Sequence, residues 1–143
     1  MMRKLIQIGL LCLMSVDAQS QAAEPGPQGT WKYLRAFNFV HVDAQDRVFQ
    51  CRFDTDFNVQ FATARYQAGG SIEWTPVRFF SLYGQEVVIP DRNWGINTME
   101  VRARIMFLTV PKLNGEGTER QEYDKVATLP TICEHYRQIA FEE

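Results

Sequence analysis

Groups that build catalytic centres are scarce in this chain of 143 residues, which holds two histidines and three cysteines. It contains no Ser-centred GxSxG, no HExxH and no glycine-rich phosphate loop, so hydrolase, zinc-protease and nucleotide-binding chemistries have no anchor. A CxxC pair is missing too, which removes the usual dithiol redox motif. Beyond Val16 no stretch approaches the ~20 apolar residues of a membrane-spanning helix. The net charge of −2 lacks the basic excess of a phosphate-backbone binder, which argues against a nucleic-acid partner.

What is present starts with Arg3 and Lys4 ahead of an apolar run from Leu5 to Val16 and a polar stretch ending in small residues. That pattern reads as a secretory signal peptide over residues 1–22, with Ser20 and Ala22 at the small-residue cleavage positions. Cys12 follows Leu11 and not a small residue, which disfavours lipidation. Removing Arg3, Lys4 and Asp17 leaves 13 basic and 16 acidic residues, a net charge of −3 on a periplasmic or secreted protein. Ten of those 13 bases are arginines, the side chain suited to planar, bidentate and stacked contacts.

Cleavage also takes Cys12, so Cys51 and Cys133 remain as the expected disulfide of an exported chain. A bridge closing a loop of about 80 residues stabilises by roughly 4 kcal/mol on the chain-entropy argument, less any native strain.

After a Pro- and Gly-rich leader, residues 23–29, the chain reads as one β-rich domain over 30–143. Thr30 to Val42 reads as a single long bent strand, and Val48–Phe53 with Phe57–Tyr66 as a hairpin. Pro76 interrupts the strand that begins at Ser71, which implies a bulge or an edge. Met99 to Val110 alternates without a break and reads as the central strand, carrying Arg102 and Arg104 on one face. Pro111 to Arg120 reads as a loop and Tyr123 to Leu129 as the last strand. Ile132, Cys133, Tyr136, Ile139 and Ala140 then follow helical spacing, with Thr131 and Glu134 as a capping box. The expected fold is all-β and mainly antiparallel, a sandwich or open barrel of about seven strands with a short C-terminal helix.

Several groups invite a chemical reading. His41 and Asp43 share a strand face but specify no third ligand, and a solvated strand end explains them better. Asp54, Asp56 and Asn58 resemble the start of a calcium loop, yet the sixth position is Val59 and the twelfth Arg65, so a charged hairpin turn is the better account. Glu73, Glu86, Asp91 and Glu100 surround the Trp94 loop in sequence without defining a carboxylate pair. No metal or cofactor is specified.

Aromatics make up 13 per cent of the chain, more large rings than strand parity places in one core. Trp94, with Arg92 and Gly95 beside it, has the composition of an interface hot spot or a sugar-stacking platform. Arg102 and Arg104 form a second candidate surface, and cross-strand pairing with Glu100 accounts for them equally. The sequence therefore points to a non-enzymatic exported module that binds another protein, with cell-wall carbohydrate binding and a small secreted hydrolase as the weaker readings.

Overall fold

The structure is a computed structural model and describes residues 26–81, 84–89, 96–112 and 114–142. Ten strands are seen: β1 Gly29–Tyr33, β2 Asn38–Val42, β3 Arg47–Phe53, β4 Val59–Arg65, β5 Ser71–Glu73, β6 Val77–Phe80, β7 Glu86–Ile89, β8 Ile96–Arg102, β9 Ile105–Pro111 and β10 Thr118–Val126. One helix, α1, spans Thr131–Phe141. All the strands join one antiparallel sheet in the order β5-β8-β9-β10-β1-β2-β3-β4-β6-β7. The class is as expected, and of the two forms expected, sandwich or open barrel, the single curled sheet is the open barrel, but the strand count is ten where about seven were expected.

The curl brings the two sides of the sheet together. Beyond β4, Tyr66 bridges Ile72 and the Gln67 N–H donates to the Ser71 carbonyl, while the Thr75 N–H donates to Thr63. Strand β5, already bonded to β8, is thereby tied to β4 as well. At Pro76 the pairing slips by one residue: Tyr66 faces Ile72 above it, whereas Phe61 faces Arg78 below it. This is the bulge that the proline implied. Past it β6 stays with β4 but takes β7 as its other neighbour. The result is a barrel joined at one end and splayed at the other. Turns 43–46, 67–70 and 103–104 lie at the closed end, and turns 34–37, 54–58 and 114–117 at the open end.

Two cores result, one on each face. Inside the barrel Trp31, Val40, Val48, Trp74, Met106 and Leu108 are buried among others, each large side chain contributing roughly 1.5–3 kcal/mol. On the outer face Phe39, Phe49, Val59 and Phe61 are covered by α1 through Cys133, Tyr136 and Phe141. A disulfide between Cys51 on β3 and Cys133, with Cα atoms 5.8 Å apart, pins the helix to the sheet. The rings that one core could not hold are thus shared between two.

Four expectations are corrected. Met99 to Val110 is not one strand: β8 ends at Arg102 and β9 starts at Ile105, with Ala103 at φ 55° in the two-residue turn. Thr30 to Val42 is likewise two strands, β1 and β2, joined at 34–37. The capping box does not form. Pro130 precedes the helix without a side-chain cap, and Glu134 turns instead to Arg137 at 2.9 Å. Strand β10 also begins at Thr118, earlier than read. In the described part of the leader, Pro27 is buried and its carbonyl accepts the Trp31 indole N–H at 2.8 Å, so this segment folds over the closed end. Among the described residues no helix is long and apolar enough to cross a membrane.

Candidate functional site

The binding residues expected from sequence fall in different places. Trp94 and Arg92 lie outside the described residues. Arg102 and Arg104 sit not on the face of a central strand but at the β8–β9 turn of the closed end, because the chain reverses at Ala103. Arg102 Nε donates to Glu100 Oε1 at 2.8 Å, and the other oxygen of Glu100 accepts from Arg120 at 3.3 Å. The Arg120 guanidinium lies 3.9 Å from the centre of the Phe107 ring. Surface pairing therefore accounts for Arg102, while Arg104 is exposed in the turn itself.

Other singled-out groups find local partners. His41 Nδ1 is 2.8 Å from the Thr30 hydroxyl, and burial, followed by the nearby Arg137 charge, holds its pKa below the usual imidazole value. Glu86 pairs with Arg78 and Glu100 with the arginines above, so these carboxylates of β7 and β8 are engaged separately. Among the described residues no group of three or more His, Cys, Asp or Glu side chains could hold a metal ion. Asp54, the head of the calcium-like stretch, is a turn-former: Oδ1 accepts the N–H groups of Asp56 and Asn58 at 2.9 and 3.0 Å, and Oδ2 accepts from the Asn58 amide. Those bonds, the Asn58 side chain's first, hold its carboxyl below the ordinary range.

The open end carries the larger site. The β1–β2 and β3–β4 turns border a cleft of about 690 Å³ whose lining includes Lys32, Arg35, Phe37, Arg52, Phe53 and Phe79, a size within the span of ligand pockets and in a usual place for them, the mouth of a barrel. Phe53 is the centre of a ring stack. Phe37 lies parallel to it at 5.2 Å between centroids and Phe57 at 6.5 Å, with interplanar angles of 6° and 12°. Phe37 and Phe57 nonetheless remain 50% and 55% exposed, as does Leu34 at 50%.

Cations interleave with these rings. Lys32 Nζ donates only to the Tyr33 carbonyl, at 3.1 Å, and the guanidiniums of Arg35 and Arg52 have no hydrogen-bond or ion-pair partner among the described residues. Arg52 follows Val48 and Gln50 on the side of β3 that faces the barrel interior, by strand alternation. Beneath it lies a buried polar chain. Gln50 donates to Asn38 at 3.2 Å, Asn38 donates to the Tyr123 hydroxyl at 3.3 Å, and that hydroxyl donates to Gln121 at 3.0 Å. Burial raises the Tyr123 pKa well above the usual phenol range, so the hydroxyl stays a neutral link. A satisfied buried network of this kind holds its members in one arrangement.

Chemically the cleft offers guanidinium and ammonium donors beside aromatic faces. Its one lining carboxylate, Asp54, is occupied by its own turn. This is equipment for holding an anionic group with apolar neighbours. Sequence reasoning missed Arg35, Phe37, Arg52 and Phe57; the available signal was Phe57, a large ring inside a polar turn, DTDFN. Comparison with protein-family models and with curated proteins finds no match for this chain.

Proposed function

We propose that the protein is an exported, non-enzymatic module that binds another protein, with the open end of its barrel as the recognition surface. The observation that carries the reading is Phe57. A bulky residue at φ 58° is strained by roughly 1–2 kcal/mol, and its ring, though stacked on Phe53, is more than half exposed, so the fold recovers only part of the cost. Exposed rings beside arginines have the composition of interface hot spots. The apolar N-terminal run and the Cys51–Cys133 bridge support export, a disulfide being at home in an oxidising compartment.

Capture from an envelope extract of the producing organism tests the reading, with wild type, the Phe37→Ala/Phe57→Ala double variant and Trp94→Ala immobilised in parallel. The expected outcome is a protein retained by wild type and lost by the double variant, whose thermal melt stays cooperative. Equal retention by the double variant and wild type would remove the open end from consideration. Loss confined to Trp94→Ala would move the surface to the loop before β8, where a sugar-binding platform was the alternative.

A further inference from the structure

We infer that the open-end cleft recognises an acidic segment of the protein partner, a carboxylate side chain with an apolar residue beside it. This rests on the reading above and adds the chemistry by which the partner is chosen.

The first support is charge. The cleft is lined by Lys32, Arg35 and Arg52 against the single carboxylate of Asp54, in a chain whose net charge is −2. A locally positive mouth on a negative protein attracts anions and is not explained by overall composition. Asp54, kept ionised by the bonds of its own turn, offsets only one of the three positive charges, so the mouth stays net positive.

The second is the availability of donors. Arg52 stands above Asn38 and Gln50, yet the Asn38 side-chain oxygen is taken by Gln50 and the Gln121 oxygen by Tyr123. With those oxygens engaged, the exposed guanidinium fork of Arg52 is available to an outside acceptor. Arg35, in the β1–β2 turn, is equally without a partner among the described residues. Planar forks of this kind match a carboxylate bidentately.

The third is size and shape. About 690 Å³ is far more than one carboxylate fills, and the remaining wall is made of Leu34, Phe37, Phe53 and Phe79. An ion alone would leave those rings wet. A peptide segment carrying an acidic and an apolar side chain covers both parts of the wall, and a partner protein supplies such a segment.

The test uses the full folded protein, isotope-labelled, titrated with the peptide acetyl-Phe-Glu-Leu-Glu-amide and with its counterpart in which both Glu are Gln. Saturable shifts at Arg35, Phe37 and Asn58 with the acidic peptide, about tenfold or more weaker binding of the Gln peptide, and weakening as salt rises are the expected results. Arg52→Gln and Arg35→Gln, each checked for an unchanged melt, should lower the affinity for the acidic peptide by a similar factor. Equal binding of the two peptides, or an Arg52→Gln, Arg35→Gln double variant that binds like wild type, overturns the inference while leaving protein capture by the open end standing. No binding of either peptide at millimolar concentration overturns it too. If 3-phenylpropionate binds as tightly as the acidic peptide, the cleft takes a small organic acid and the partner-segment inference falls.

Discussion

Asp43 and Asp54 begin turns of one design at opposite ends of the barrel. In each, the carboxylate accepts the N–H groups two and four residues on, the first residue's carbonyl accepts from the fourth, and the fourth sits at positive φ, 63° for Asp46 and 58° for Phe57. This is a type I turn closed by a left-handed residue. At the closed end the left-handed site holds an aspartate, which tolerates it, and its carboxylate accepts from Gln28 at 2.6 Å. At the open end the same site holds a phenylalanine that does not tolerate it and is left exposed. The charges differ likewise: Arg47 is held by Asp43 at 2.7 Å and Arg102 by Glu100, while Arg35 and Arg52 find no partner among the described residues. The closed end is the more settled one, although Arg104 is exposed there too, and the open end gathers its exposed arginines around one cleft beside a strained ring.

The largest effect expected from that contrast is at the closed end. Trp31 is 1% exposed, packs in the interior core and is tied by its indole to Pro27. Trp31→Ala should cost about 3–5 kcal/mol, read as a lowered denaturation midpoint, with capture of the partner by the folded fraction unchanged. A lost partner at full foldedness would show that the two ends are coupled. Next in size is the disulfide. Replacing Cys51 and Cys133 by serine should cost about 2–4 kcal/mol, with circular dichroism still showing the sheet, because the interior core does not depend on α1.

Phe57→Gly follows, and it should act on the two properties very unequally. Relief of the left-handed strain, about 1–2 kcal/mol, is offset by the lost stacking on Phe53 and the extra freedom of an unfolded glycine, so stability should move by no more than about 0.5 kcal/mol. Partner capture should fall. Asp46→Gly, the matching change at the closed end, should move both by less. A Phe57→Gly protein that is destabilised by more than about 0.5 kcal/mol would mean that the ring serves the fold.

The same contrast explains what was legible in the sequence. Alternation placed the β3–β4 hairpin, helical spacing placed α1, and cysteine parity gave the bridge. Two reversals were not legible, at 34–37 and at 103–104, because neither contains Gly, Pro or Asn. At Ala103 the loss went further. Val101 faces the interior with Met106, so the inward parity switches across the turn, and the unbroken alternation hid that switch. The apolar run from Ile105 to Leu108 is covered outside only in part, Arg120 lying on Phe107. At 34–37 the residues that would have marked a turn are replaced by Arg35 and Phe37, which belong to the cleft. The candidate site was obscure in sequence for a physical reason: its side chains occupy positions where local structure alone would favour turn formers.

The smallest effect expected is on the arginines that the sequence first suggested. Glu100 is shared by Arg102 and Arg120, and the side chains of all three are roughly half or more exposed. Ion pairs so placed lose most of their Coulomb energy to solvent and must hold long side chains still, so Arg102→Ala should cost no more than about 0.5 kcal/mol. That small loss should vanish as salt screens the pair. Arg104→Ala should change stability even less, since Arg104 is tied to the sheet by its carbonyl, which accepts the Lys125 N–H at 3.3 Å and survives the substitution. Capture of the partner should be unaffected by either change, whereas Arg52→Gln should leave the melt alone and weaken capture. The pair of outcomes separates the two ends directly: if Arg102→Ala weakens capture as much as Arg52→Gln does, recognition extends along the outer wall from the open end, and the division between the two ends fails.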